Sequence, residues 1–213
     1  MKTIYLVRHG ETNANVKKTW QNAFDELSER GVVQAENLAN RLQNVPFDYV
    51  VSSSMKRAVQ TVEAVCEKNG LPYVQSDLFV EVSVPTSTIG SVYVEVVGNP
   101  GFDYVTARDA EATNPDFRYE DEETLHELLS RIQSGLDYLD HLPAENILVV
   151  THGTILRTLV SAVMHQGLDV SPYTIFTAGR RLDTVNTSIT VLHKPENGLW
   201  SIFTYNDHAH FAE

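Results

Sequence analysis

Three times along this 213-residue chain a short apolar run stops at a polar cluster and gives way to a helical period. Ile4 to Val7 stops at Arg8-His9-Gly10, Tyr49-Val50-Val51 at Ser52-Ser53-Ser54, and Ile147 to Val150 at Thr151-His152-Gly153. Apolar runs without alternation are the mark of strands covered on both faces. The segments between them carry the helical period instead. Ser28 is placed to cap a helix with Ala35, Leu38, Ala39 and Leu42 on one face, closed by Pro46. Met55, Ala58, Val59, Val62 and Cys66 line a second helix that ends at Asn69-Gly70. A third begins at Glu122 with Leu125, Leu128, Ile132, Leu136 and Leu139, and a fourth carries Ile155, Leu156, Leu159 and Val163. Near the end, Ser188 to Leu192 and Leu199 to Tyr205 flank Pro195 and Asn197-Gly198, which predicts a hairpin.

Strands alternating with amphipathic helices predict an α/β fold: a three-layer sandwich with a mostly parallel central sheet and helices on both faces. Ligands of such sheets sit beyond the carboxyl ends of the strands. Arg8-His9, Ser52 to Ser54 and His152 are thereby expected at one edge, with Gly10 supplying a turn. Residues 83 to about 121 break the pattern, because Pro85, Gly90, Gly98, Pro100, Gly101 and Pro115 interrupt any sustained period. They read as a lid-like insertion over those strand ends, within a single domain spanning 1–213.

Composition removes several function classes. With 16 Lys+Arg against 28 Asp+Glu the net charge is -12, and duplex binding needs clustered basic residues, so no nucleic-acid partner is expected. Nothing approaches the roughly 18 apolar residues of a membrane span, and the first apolar run meets Arg8 too early for a signal segment, so a cytoplasmic protein without a membrane partner is expected. The lone Cys66 cannot form an intramolecular disulfide or a cysteine metal cluster. His208 and His210 lack a third ligand at useful spacing, so they read as structural or surface residues and no metal is expected. No heptad seam is sustained, so nothing in the sequence specifies an oligomer.

Leu6-Val7-Arg8-His9-Gly10-Glu11-Thr12, with Asn15 following, resembles the opening signature of the histidine phosphatase superfamily, the phosphoglycerate mutase-like proteins. Leu27-Ser28-Glu29-Arg30-Gly31, the run Ser52-Ser53-Ser54-Met55-Lys56-Arg57-Ala58-Val59-Gln60-Thr61, and Val150-Thr151-His152-Gly153 resemble its later motifs, so the likeness covers nearly the whole chain. It implies that His9 is a nucleophile forming a phosphohistidine and that His152 stabilises the transferring phosphoryl group. Glu81, in Leu78-Phe79-Val80-Glu81-Val82-Ser83, matches the family's acid/base carboxylate. Asn15 and Gln21 match positions whose amides bind phosphate. The chemistry suits these residue types. Arg8 and Arg57 are planar, permanently charged forks for phosphate, the Gly153 N–H opens a helix, and with so many fixed charges no cofactor is required.

Many family members carry a tryptophan-glutamate-glycine run after the acid; Val84-Pro85-Thr86-Ser87-Thr88-Ile89-Gly90 stands here instead. The phosphoglycerate mutases share a glutamate-arginine-histidine-tyrosine-glycine segment around the acid, whereas this chain has Glu81-Val82-Ser83-Val84. Hydrolysis of a small phosphate monoester, a phosphorylated metabolite, is therefore expected. The alternatives are a phosphoglycerate mutase-type phosphotransferase, a catalytically weak phospho-ligand binding module of the same fold, and a metal-dependent hydrolase using His208 and His210. Within the insertion, Tyr93, Phe102, Tyr104, Phe117, Arg108 and Arg118 are expected to grip the substrate body or a second anion.

Overall fold

In chain order the elements are β1 (Lys2–Arg8), α1 (Asn13–Lys17), α2 (Glu29–Leu42), β2 (Tyr49–Ser52), α3 (Lys56–Asn69), β3 (Val74–Gln75), α4 (Pro100–Ala107), α5 (Leu125–His141), β4 (Asn146–Thr151), α6 (Gly153–Met164), α7 (Pro172–Gly179), β5 (Ile189–Lys194) and β6 (Ser201–Asp207). The structure is a computed structural model that describes residues 1–93 and 96–211. Val94 and Glu95 of the expected insertion, and Ala212 and Glu213, lie outside the described residues.

The six strands form one sheet in the order β3-β2-β4-β1-β5-β6. The pairings β3–β2, β2–β4 and β4–β1 are parallel, while β5 runs antiparallel to both β1 and β6. Side chains alternate between the faces of a strand, and the register turns that alternation into two cores. Ile4 and Leu6 stand beside Ile147 and Val149 under α5, α6 and α7. Val7, Leu148, Val150 and Val50 face the other way and pack on Leu38 and Ala39 of α2 and Ala58, Val62 and Val65 of α3. Both faces are covered, which is why these strands read as continuous apolar runs.

Caps set the helix limits. The Ser28 hydroxyl accepts the Gly31 N–H at 3.0 Å, and Gly70 closes α3 at φ 65°. The third predicted helix starts later than Glu122, because Thr124 and Glu127 form a capping box at the head of α5. Glu122 is turned inward, its carboxylate accepting the N–H groups of Tyr119 and Glu120. Three elements had no sequence signature: α1 spans five residues, β3 two exposed ones, and α7 buries only Phe176 and Gly179.

Residues 83–121 hold α4 and two short 3-10 turns, Thr86–Thr88 and Arg108–Ala112. Part of this segment runs beside the loop after α1. Trp20 N–H donates to Ser91 O at 3.0 Å, Gly90 N–H to Trp20 O at 2.9 Å, and Tyr93 N–H to Lys18 O at 2.9 Å. The Trp20 ring meets Tyr93 edge-on at 5.0 Å and Tyr104 at 5.8 Å.

Candidate active site

The carboxyl ends of β1, β2 and β4 bring together residues far apart in sequence. Arg8 and His9 leave β1, Ser53 leaves β2 just before Arg57 of α3, and His152 stands between β4 and α6. The His9 N–H donates to Thr151 O at 2.9 Å, which locks the two strand ends together. The His9 and His152 rings lie 5.1 Å apart at 56°. His9, His152 and Arg57 are all buried.

The proton on His9 can be assigned from its partners. Nδ1 lies 2.7 Å from Gly10 O, and a carbonyl only accepts, so Nδ1 carries the hydrogen. Nε2 is left bare and accepts Arg57 Nε–H at 3.3 Å. Burial, then the charges of Arg57 and Arg8, hold the His9 imidazole well below its ordinary pKa. Burial and the charges of Arg57, His9 and Arg8 do the same to His152. Two neutral imidazoles therefore stand between two guanidinium groups.

Those guanidinium groups are fixed by backbone and by sulfur. Arg57 Nη1 donates to Asn22 O at 2.8 Å and Nη2 to Met55 Sδ at 3.2 Å. Arg8 Nη1 donates to Thr184 O at 2.5 Å, while its Nε is buried without a partner among the described residues. Burial presses both arginine pKa values down, and the nearby Glu81 charge opposes that in each case. Gly153, the first residue of α6, stands beside this group: a Cβ there would make an ordinary contact at 3.4 Å from Arg8 Nε.

Glu81 reaches the site because its segment is pinned on both sides. Thr151 Oγ1 donates to Phe79 O at 2.7 Å, and Arg131 of α5 donates to Val80 O at 2.9 Å and Leu78 O at 3.1 Å. The carboxylate then accepts Val82 N–H at 2.9 Å and Thr154 N–H of α6 at 3.1 Å. Nothing in the sequence pointed to Arg131. Asn15 and Gln21 sit half-buried on the neighbouring loop with their carbonyl oxygens engaged. Asn15 Oδ1 accepts Thr12 N–H at 3.1 Å, and Gln21 Oε1 accepts the Thr12 hydroxyl at 3.0 Å. Their amide N–H groups are the donors left to offer. Asn186 donates to His9 O at 2.9 Å and to Asn15 Oδ1 at 3.3 Å. Thr187 follows at φ 55°, unusual for a β-branched residue, and its N–H donates to Arg8 O at 2.9 Å.

The insertion behaves differently from expectation. Arg108 does not face the site: it is 9% exposed, paired with Glu111 at 2.9 Å, and its guanidinium lies over the rings of Tyr104 and Phe176. Arg118 is spent on the head of α5, donating to Glu127 Oε1 at 2.7 Å and to Glu122 O. Neither is free to grip a substrate. Tyr93 is nearer; its hydroxyl meets the Gln21 side chain and feels the charges of Arg8, Glu81 and Arg57, while burial raises its pKa. His210 Nε2 pairs with Thr187 Oγ1 at 3.2 Å, and among the described residues no three His, Cys, Asp or Glu side chains gather as metal ligands. No helix among the described residues is long and apolar enough to cross a membrane.

Known proteins resemble the chain over most of its length. The sequence profile of the histidine phosphatase superfamily (branch 1) matches residues 4–208. The uncharacterized phosphatase PhoE of Bacillus subtilis is 30% identical over 165 residues, covering 76% of this chain and 78% of its own. The probable phosphoglycerate mutase GpmB of Proteus mirabilis is 29% identical over 221 residues, covering 100% of this chain and 96% of its own. Among solved structures, YhfR of Bacillus stearothermophilus superposes with a TM-score of 0.79 at 24% identity, covering 99% of each chain.

Proposed function

Because the chain belongs to the histidine phosphatase superfamily, we propose that it hydrolyses a small phosphate monoester through a phosphohistidine on His9. The observation that carries this reading is the bare, buried Nε2 of His9, its lone pair fixed by the Nδ1–Gly10 O bond at 2.7 Å and bordered by Arg57 and Arg8. The Nε2 lone pair attacks phosphorus and the bond to the leaving oxygen breaks. Glu81, as a carboxylic acid, gives that oxygen its proton. In the second step water attacks phosphorus, the Glu81 carboxylate takes the water's proton, and the P–N bond returns its electrons to Nε2 as orthophosphate departs. Splitting one displacement into two lowers each barrier, and acid/base help of this kind contributes about 10²–10⁴-fold.

Phosphoryl transfer depends chiefly on positioning and on stabilising the equatorial oxygens. The Arg8 and Arg57 forks, the His152 ring and the Gly153 N–H supply that stabilisation, with the Asn15 and Gln21 amides at the rim. Residues 1–213 act as one domain, and the 83–121 segment borders the substrate through Tyr93, not through its arginines. The likeness to a probable phosphoglycerate mutase keeps phosphotransfer as the second reading. Water's access to the phosphorylated His9 decides between them.

The test is turnover of an aryl phosphate by the wild type and by His9→Ala, with and without chelator. Release of phosphate that ignores chelator and falls by about 10³-fold or more in the variant supports the proposal. Activity that survives in His9→Ala, or that chelator abolishes, overturns it. Phosphate moved to a second acceptor without release points to the mutase.

A further inference from the structure

Ser53 is completely buried, and its hydroxyl meets two groups: the Met55 N–H at 3.2 Å and His152 Nε2 at 2.7 Å. An amide N–H only donates, so the hydroxyl oxygen accepts there. The hydroxyl's own proton then needs an acceptor, because a buried donor left unpaired costs about 1–3 kcal/mol. Among the described residues the acceptor in reach is the His152 ring nitrogen. Nε2 must therefore be bare. A cationic ring, protonated on both nitrogens, would leave the Ser53 proton with no acceptor, and it would also stand beside Arg8 and Arg57. The neutral ring carries its hydrogen on Nδ1. That atom is itself buried and, among the described residues, has no partner. A buried, unspent N–H on a ring 5.1 Å from His9 is a donor waiting for an oxygen.

We propose that Ser53 is a positioning residue that fixes the Nδ1–H tautomer of His152, so that the ring serves as a neutral hydrogen-bond donor to a phosphoryl oxygen. The opposite tautomer would turn a lone pair toward the anion and repel it. The three consecutive serines thus have separate tasks. Ser52 donates to Ser53 O at 3.0 Å, Ser54 to Asp77 Oδ1 at 2.5 Å, and Ser53 alone addresses the site. The identity of the oxygen rests on the phosphatase reading; the tautomer does not.

The experiment is nitrogen-15 NMR of the imidazole rings in the wild type, with His152 assigned by its loss in His152→Gln. The expected spectrum has a protonated Nδ1 and a bare Nε2 on His152 at neutral pH. Added inorganic phosphate should shift the Nδ1 proton. In Ser53→Ala the two tautomers should mix or invert, and kcat for an aryl phosphate should fall roughly 10–100-fold with a smaller change in KM. Ser53→Thr, which keeps the hydroxyl, should retain the wild-type pattern. A wild-type His152 protonated on Nε2, an unmoved Nδ1 signal at saturating phosphate, or an unchanged tautomer in Ser53→Ala each overturns the proposal. The wild-type tautomer, once His152 is assigned, is read without turnover and without a folded Ser53→Ala protein. A protein with the expected tautomer but no phosphate release would refute the phosphatase reading alone.

Discussion

A Cβ placed on Gly10 would lie 2.6 Å from the Gly31 carbonyl oxygen, and one on Gly31 would lie 2.0 Å from that of Glu11. The loop after His9 and the first turn of α2 therefore touch backbone to backbone. Gly10 is needed for that approach and not for a left-handed turn, since it is absent from the positive-φ glycines of the described residues. Gly10→Ala must push the loop off α2 and disturb the carbonyl that orients His9 Nδ1. The expected outcome is a stability loss of about 1–3 kcal/mol and at least a tenfold drop in aryl phosphatase activity, read by urea denaturation and steady-state kinetics. Normal activity in a folded Gly10→Ala protein would contradict it. At this scale the residues with unusual chemistry, His9, His152, Arg8 and Arg57, were legible because a motif marks them. Ser53 was not, because three adjacent serines are alike until the fold aims each hydroxyl.

The elements with a clean period, α2, α3, α5 and α6, follow the sequence closely, since one apolar face and a cap are enough to define them. Those that bury at most two residues, α1, α7 and β3, had no period to read. The insertion is the instructive case. Its arginines looked like substrate ligands because a sequence shows their charge but not their partners. The Arg108–Glu111 pair is held between Tyr104 of α4 and Phe176 of α7, and burial raises the Glu111 pKa against the pull of Arg108. Removing one partner of a buried pair leaves an uncompensated charge, at a cost of about 3–5 kcal/mol. Arg108→Ala is expected to loosen α4 and the following turn, raising their susceptibility to limited proteolysis, while KM for an aryl phosphate stays put. The double replacement Arg108→Met with Glu111→Leu should restore resistance. A raised KM with undiminished resistance would return Arg108 to the substrate.

Over the whole molecule, gathering two neutral histidines and two arginines in one buried site makes stability depend on pH. The folded-state pKa values of His9 and His152 lie well below 6.5, near which an unfolded histidine titrates. Below that pH the unfolded chain binds protons that the folded protein refuses. Stability is therefore full above about pH 6.5 and is lost as pH falls toward the folded pKa values, with a slope of about 1.4 kcal/mol per pH unit for each histidine. Urea midpoints from pH 8 to 5 should show this decline, and His9→Asn should flatten it. A wild-type slope no steeper than that of the variant would refute the assignment. The sequence by itself determined the layered α/β plan and pointed to the residues proposed to handle phosphate, because periodicity, caps and motifs are carried by near neighbours. Only the tertiary structure decided which partner each polar group meets. Ser53 finds His152 across 99 positions and Asn186 finds the His9 carbonyl across 177. Contacts of that range are set by strand order and helix packing, which leave no local period in the chain.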